Sequence, residues 1–303
     1  MNCPICGFYS EDSLTAARLP RFFRCPNCSG YFHREKNIPR YEETYFFEKT
    51  KPSVFGRVVS KLLGVFSVLY LERIKKLLSQ KNGLILDYGC GDGRRVSYLN
   101  KKGFYADGYD PSESAVRLAQ KNSISVFSEI PQKKYDLMMF WHSLEHSDQP
   151  FLDIQNCKKY LSANAKLLIA VPNADSFGAW IARDRWFGYD WPFHRVHFTP
   201  EAVKVLLEKN GIRLLSVDYF NPEYTLAFTA QTFLNLFLPK NVFYSAVSNR
   251  RKEFGGFKTA VLSALSLALL LLFSPFLLIF YIIELIAKRT GAFIVVAQYV
   301  EKI

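Results

Sequence analysis

Acidic residues are the scarce class in this chain. Its 303 residues carry 27 Asp and Glu against 39 Lys and Arg, a net charge of +12. That balance disfavours a cationic partner and favours phosphate-bearing substrates, anionic lipid or nucleic acid. The opening MNCPICGF has neither the basic start nor the apolar stretch of a secretory signal, so a reducing cytosolic setting is expected. In that setting the six cysteines are poor candidates for disulfides. Hydrophobic residues at 49% and charged residues at 22% exclude a disordered chain. One long run, TAVLSALSLALLLLFSPFLLIFYII from Thr259 to Ile283, has no charge at all.

Four of the cysteines come in two Cys-x2-Cys pairs, Cys3 with Cys6 and Cys25 with Cys28. Each spacing lets one tight turn aim two thiolates at one ion, and two such turns make a closed tetrahedral sulfur site suited to structural zinc. Pro4 and Pro26 pre-set the turns; Gly7 and Gly30 supply the left-handed residue expected after each. A zinc ribbon is therefore expected over residues 1–34, with His33 on its surface. A small module of this kind folds around its metal.

LDYGCGDGRR, residues 86–95, places Gly89, Gly91 and Gly93 directly after the apolar run Gly83 to Tyr88 and before a helical stretch, Arg94 to Lys102. Strand, glycine turn and helix open a nucleotide-binding α/β unit. The Gly-x-Gly-x-x-Gly spacing of dinucleotide binders is absent, and Asp87 suits an amine-bearing ligand better than a pyrophosphate. A second strand, Phe104 to Tyr109, ends at Asp110, where an acid can take both ribose hydroxyls. Further strands are expected at Ser123 to Phe127, Tyr135 to Phe140, KLLIAVPN and IRLLSVDYF, with helices at Ser112 to Lys121 and Pro200 to Asn210. Ligands bind at the carboxyl ends of such strands.

LDYGCGDGRR, GYDPS, FWHSLEHSDQP and LLIAVPN, in this order, closely resemble class I S-adenosylmethionine-dependent methyltransferases. They are most similar to the branch that holds ubiquinone-pathway O-methyltransferases and enzymes of glycan and lipid modification. The resemblance covers residues 81–220 and a last strand, Ala292 to Val300. It implies a Rossmann-like seven-stranded α/β sheet. It also implies a cofactor site made of Asp87, Gly89, Cys90, Gly91, Gly93, Asp110, Trp141 and His142. Asp87 would face the amino group of S-adenosylmethionine and Asp110 the ribose. Some quinone O-methyltransferases bind a divalent metal through an acid three residues before the Glu of the Leu-Glu-His motif. That position here is His142, which argues against such a metal.

The candidate proton acceptors are His194 and His197, in DWPFHRVHFTP, and His142. Glu145 and His146 read equally well as a cap for the next helix. Thr199 followed by Pro200 reads as a helix start. Six aromatics between Trp180 and Phe193 can roof an apolar or sugar-bearing substrate. Cys90 and Cys157 read as structural.

The fold normally joins its last two strands directly, yet here residues 221–290 intervene. The uncharged run within them, flanked by Arg250, Arg251, Lys252, Lys258, Lys288 and Arg289, points to a membrane segment. A single crossing would strand the last strand on the wrong side of the bilayer. Ser274-Pro275 breaks the run, so a hairpin entering and leaving the cytoplasmic leaflet is expected, with a dimer interface and a full span as alternatives. Tyr224 to Pro239, uncharged and aromatic, and a helix from Val54 to Leu78 can assist. The expected organisation is a ribbon (1–34), a linker with an amphipathic helix (35–80), the methyltransferase core (81–220), a membrane-associating helical insertion (221–290) and the last strand (291–303). The expected function is S-adenosylmethionine-dependent O-methylation of a lipid-linked or amphiphilic small molecule, glycan-lipid or quinone-like, at the cytoplasmic face of the cell membrane. Lipid contact is expected through residues 259–287, and nucleic acid is not expected as partner. The rivals are an RNA methyltransferase, disfavoured because strand four ends in Phe-Trp-His-Ser, and an inactive membrane scaffold.

Overall fold

The computed structural model describes residues 2–9, 15–16, 19, 21–33, 66–78, 82–248 and 256–301. The linker and most of the helix expected from Val54 lie outside these residues.

The amino-terminal strands are β1 (Thr15–Ala16), β2 (Phe22–Arg24) and β3 (Tyr31–His33). In the first cysteine turn Gly7 takes φ +69. In the second the left-handed residue is Ser29, at φ 60, not Gly30. Gly30 is required for space instead: a Cβ there would stand 2.5 Å from Ile5 Cδ1 and 3.1 Å from Ala202 Cβ. The expected surface position of His33 is also corrected. Its ring is half-buried, with its centroid 5.2 Å from that of Trp191 and 6.0 Å from that of Phe22.

Helix α1 (Ser67–Leu77) packs Tyr70 and Ile74 onto the core and pairs Arg73 with Asp218. The core then runs β4 (Leu84–Tyr88), α2 (Arg94–Lys101), β5 (Tyr105–Tyr109), α3 (Glu113–Lys121), β6 (Val126–Phe127), β7 (Tyr135–Trp141), α4 (Pro150–Cys157) and β8 (Leu161–Pro172). It continues with α5 (Phe177–Ala182), β9 (Val196–His197), α6 (Pro200–Lys209) and β10 (Ile212–Asp218). The central strands read as unbroken apolar runs because helices cover both faces of a parallel sheet. Leu137, Met138, Met139 and Phe140 of β7 are all fully buried. Thr199 caps α6 by accepting a hydrogen bond from Ala202 N at 3.0 Å, with Pro200 at the first helical position, as its sequence implied.

Three helices follow, α7 (Pro222–Phe237), α8 (Val242–Ser248) and α9 (Gly256–Ile286), before β11 (Ala292–Tyr299). The seven-stranded sheet has the order β10-β11-β8-β7-β4-β5-β6. Only β11 runs against its neighbours, pairing antiparallel with both β10 and β8. The order reverses at β4, so the carboxyl ends of β4, β5 and β7 open a crevice there.

The ribbon is built into this core. β3 pairs antiparallel with β9, Tyr31 opposite His197, so the second sheet is β1-β2-β3-β9. Phe151 N donates to Pro4 O at 3.2 Å and Lys209 Nζ to Cys6 O at 2.8 Å. Ile5 and all four paired cysteines are buried in the same cluster as Phe140 and Phe198.

The expected break at Pro275 does not occur; α9 is one continuous helix. A proline leaves the carbonyl four residues back without its donor. Here that carbonyl belongs to Leu271, and the Ser274 hydroxyl donates to it at 2.9 Å. The hairpin is made of longer pieces: α7 runs out from the core and α9 returns beside it. Thr229 Oγ1 donates to Glu284 Oε2 at 2.8 Å, and Phe233 meets Phe273 at 5.2 Å. Leu262, Leu269 and Leu270 close on Leu234, Leu238 and Val242. Polarity is inverted in this hairpin. Thr225, Thr229, Gln231, Asn235, Ser266 and Glu284 are buried, while Leu271, Leu272, Phe276 and Ile286 are 67%, 69%, 67% and 77% exposed. Among the described residues α9 is the one helix long and apolar enough to cross a membrane.

Candidate active site

The glycine loop hangs between three strand ends. Gly89, Gly91 and Gly93 have φ +72, +58 and +72. Gly89 N and Cys90 N donate to Tyr109 O at the end of β5. A Cβ on Gly89 would stand 2.5 Å from Ser143 Cβ, just beyond β7, so only glycine lets the two loops close. The Ser143 hydroxyl locks that contact by donating to Tyr88 O at 2.6 Å. Asp110 accepts from Gly91 N at 2.7 Å and Ser112 N at 2.9 Å. Burial raises its pKa, and the two N–H donors oppose the rise. Cys90 is pushed up by burial and by Asp87 and Asp110, so its thiol is inert.

Asp87 is buried at the end of β4, and its Oδ2 has no hydrogen-bond donor. Arg95 Nη1 stands 3.7 Å away, within ion-pair range but beyond a hydrogen bond. Burial pushes the Asp87 carboxyl up to about 6, against the pull of Arg95 and helped by Asp110. The Arg95 guanidinium lies 5.1 Å from the Trp141 ring centre and 5.8 Å from that of Tyr70, and Nη2 donates to Tyr224 Oη at 3.4 Å. Trp141 Nε1 donates to the same oxygen at 3.0 Å. An orphaned buried carboxylate beside a glycine loop fits the ammonium end of S-adenosylmethionine, and Asp110 fits its ribose.

His142 follows β7 in a left-handed conformation, φ 53. Its Nδ1 lies 3.3 Å from Glu145 Oε1 and its ring stacks on Tyr224 at 4.0 Å. Its Nε2 is buried without a hydrogen-bond partner. Glu145 is fully buried; burial raises its pKa, but the His142 bond and the nearby histidines outweigh that and hold it below the usual value. It does not cap α4, which begins at Gln149 without a side-chain cap.

The chain has five histidines, and all of them join one run of contacts. Glu145, His146 and His194 bring side-chain donor atoms within 4.8 Å of one another. The Nδ1 atoms of His146 and His194 bond to Phe193 O and Gly188 O at 3.0 and 2.8 Å. Arg195 N donates to Glu145 O at 2.8 Å. This hub ties the loop after β7 to the aromatic loop. Burial, then His194, lowers the His146 pKa to about 4. His197 lies wholly buried among Phe22, Trp186 and Tyr189, both ring nitrogens without partners, and burial holds it neutral. Leu19, Phe22 and Tyr31 of the ribbon, Trp186 of the aromatic loop and Phe228 of α7 share one cluster, with Phe187, Tyr189, Trp191 and Tyr224 against it.

The paired cysteine sulfurs approach as Cys3–Cys28 and Cys6–Cys25, each at 3.8 Å, and all four lie within 4.8 Å. A tetrahedral zinc with bonds of about 2.3 Å needs sulfurs about 3.8 Å apart, so the set fits.

The structure thus gathers Asp87, the glycine loop, Asp110, Trp141 and His142 at the ends of β4, β5 and β7. It puts His194 and His197 beyond Glu145, against the ribbon. The sequence did not point to the contacts of Arg95 and Tyr224 with Trp141, or to that of Glu145 with His142.

Residues 66–217 match the methyltransferase domain family. The chain belongs to that family and is a class I S-adenosylmethionine-dependent methyltransferase. The ubiquinone biosynthesis O-methyltransferase of Coxiella burnetii (strain RSA 331 / Henzerling II) is 25% identical over 205 residues, 60% of this chain and 86% of the relative. The enzyme so named from Histophilus somni (strain 2336) is 30% identical over 129 residues, 36% and 54% of the two chains. Among solved structures, a chain from the complex of the Haloferax volcanii Trm112 methyltransferase activator with a methyltransferase has a TM-score of 0.50 at 10% identity. That match covers 88% of this chain and 100% of the other, a likeness of fold.

Proposed function

We propose that this methyltransferase O-methylates a hydroxyl of an amphiphilic or lipid-linked acceptor, quinone-like or glycan-bearing, at the cytoplasmic surface of a membrane. The observation that carries the reading is the His142–Glu145 pair at the end of β7. A carboxylate on Nδ1 fixes the imidazole with Nε2 free to take a proton, and Nε2 is buried without a partner. His142 is thus the base and Glu145 the residue that positions it. His194 and His197 act as wall and hub; His197 is too deeply enclosed to receive a proton from a moving acceptor.

Asp87, the backbone of Gly89 to Gly93 with Cys90, Asp110 and Trp141 would hold S-adenosylmethionine, and His142 faces the acceptor. When bound there, the donor supplies an electrophilic methyl group on a sulfonium. Asp87 takes the donor's ammonium and Asp110 its ribose hydroxyls. Trp141 walls the pocket, and the aromatic loop with Tyr224 and Phe228 keeps water from it. His142 accepts the acceptor's hydroxyl proton.

The inverted polarity of the α7–α9 hairpin supports lipid as the surroundings of its outer face. Exposing Leu271, Leu272 and Phe276 to water forfeits roughly 1.5–3 kcal/mol for each. Lys258, Lys288 and Arg289 at its ends suit anionic headgroups. Cys3, Cys6, Cys25 and Cys28 would hold a structural zinc. The relatives named for ubiquinone biosynthesis lend weight to a phenolic acceptor.

The test is transfer of labelled methyl from S-adenosylmethionine to a membrane lipid extract and to a simple catechol. The wild-type protein is expected to label an extractable lipid, and His142→Ala to lose the labelling while still binding the donor. Equal labelling by His142→Ala removes the dyad from the chemistry.

A further inference from the structure

Helix α9 advances about 33 Å between Leu262 and Glu284 at ~1.5 Å per residue, close to the ~30 Å thickness of a bilayer's hydrocarbon. Length and hydropathy therefore fit a helix that crosses and a helix that lies flat in one leaflet equally well. What decides between them is where the charged core stands along the helix.

We infer that α9 is an in-plane dock for one membrane leaflet, with its outer face in lipid and its inner face on α7 and α8, and that it does not cross the bilayer. The inference rests on the lipid reading of the hairpin above and adds its orientation. Three observations carry it. First, a single stripe of α9 is covered along the whole helix. Leu262, Ser266, Phe273, Leu277, Tyr281 and Glu284 are buried or half-buried, whereas Leu265, Leu272, Ile279 and Ile286, at seven-residue steps, are 44%, 69%, 55% and 77% exposed. Second, the helices that cover this stripe rest on the core at both ends. On α7, Tyr224 stacks on His142, Phe228 meets Phe187 at 5.1 Å, Thr232 Oγ1 accepts from Phe187 N at 3.1 Å and Asn235 Nδ2 donates to Arg185 O at 2.9 Å. Tyr244 of α8 meets Phe187 at 5.1 Å. At the other end of α9, Phe177 N donates to Arg289 O at 3.1 Å and Arg289 Nε to Asp175 O at 2.8 Å. A helix tied to the core at both ends runs along its surface. Third, charged groups of the core side flank both ends. Lys240 pairs with Asp184 at 2.7 Å just beyond α7, beside the turns of α9 that pack on Leu238 and Val242, and Lys288 and Arg289 follow the other end. A crossing would carry the half-exposed Lys240–Asp184 pair and its loop into hydrocarbon, where charge is costly. Lying flat leaves it at headgroup level, where lysine and arginine meet anionic lipid. One helix layer, α7, about 8–10 Å between axes, then separates the lipid-facing helix from His142, through Tyr224 on one side and Thr229 bonded to Glu284 on the other. An acceptor anchored in that leaflet has to lift its reacting group past one helix.

The test places a nitrobenzoxadiazole label on Leu265→Cys, Leu272→Cys, Ile279→Cys and Ile286→Cys, one at a time, in the full-length protein reconstituted into phosphatidylcholine–phosphatidylglycerol vesicles. The wild-type protein, whose own cysteines are all buried or half-buried, gives the labelling background. Circular dichroism checks that each variant is folded. Nitroxide lipids carry the quencher either near the headgroup or at the end of the acyl chain. The dock requires every one of these labels to be quenched more by the shallow lipid than by the deep one, at one common depth of about 5–10 Å into the boundary of headgroups and chains. A crossing helix gives a different pattern: Leu272→Cys and Ile279→Cys quenched most by the deep lipid, Leu265→Cys and Ile286→Cys by the shallow one. That result overturns the in-plane dock and leaves the lipid reading intact. Folded protein quenched by neither lipid at any position has this face against water or a second chain, and overturns both.

Discussion

His142 holds a left-handed backbone conformation that residues with a β-carbon adopt at a cost of order 1–3 kcal/mol. Such strain persists where the surroundings fix it, and here Glu145 and Tyr224 grip the ring. His142→Ala is expected to lower kcat by about 10²- to 10⁴-fold with little change in donor affinity. Glu145→Gln should lower kcat and shift the acidic limb of the kcat–pH profile, which a purely structural loss would not do. Asp87 gives a separate pH signature. Its raised pKa of about 6 means that it holds a proton below that pH and is ionised above it. Arg95 and Asp110 are the charges that face it, pulling in opposite directions. Donor affinity should therefore be full near pH 7.5 and fall as pH drops through 6, measured by calorimetry. Asp87→Asn should give weak binding that no longer varies over this range. Flat donor affinity in the wild type between pH 5 and 7.5 would contradict this assignment.

At the scale of elements, the ribbon and the hairpin both reach the site. β3 of the ribbon carries β9, and with it His197 and the end of the loop that bears His194. Strong chelation is expected to release roughly one zinc per chain. It should lower activity by at least about 10-fold and expose β9 to hydrogen exchange, because a module built on its metal loosens without it. Full activity in metal-free protein would detach the ribbon from the site. On the hairpin, the pair Leu271→Glu and Leu272→Glu faces outward and touches no site residue described above. The double variant should leave sedimenting anionic vesicles for the supernatant while its donor binding stays within about 2-fold. The sheet was legible because its strands are apolar runs bounded by glycine and aspartate, Gly83 to Tyr88 being the clearest. The hairpin was legible only as an apolar excess. Its turn was misplaced because Ser274 repairs the hydrogen bond that Pro275 removes, a local compensation that hydropathy and proline rules do not weigh.

Across the whole molecule, the glycine loop and the strand ends that carry Asp87 and Asp110 could be read from a chain segment of 25 residues, Leu86 to Asp110, because they are local. The acceptor side could not. Phe22, Trp186 and Phe228 share one buried cluster, with Tyr224 against it and stacked on His142, and only tertiary pairing brings them together. For the same reason the burial of His194 and His197 is invisible in the sequence, where both read as candidate bases. The central claim is that one cavity joins a donor bound by Asp87 and Asp110 to a base at His142. A structure of the protein with S-adenosylhomocysteine tests it most directly. The account predicts the ribose on Asp110, the amino-acid end against Asp87, and the sulfur facing the His142 Nε2 side of the crevice. A product whose sulfur points away from His142, toward His194 or out to solvent, would contradict it.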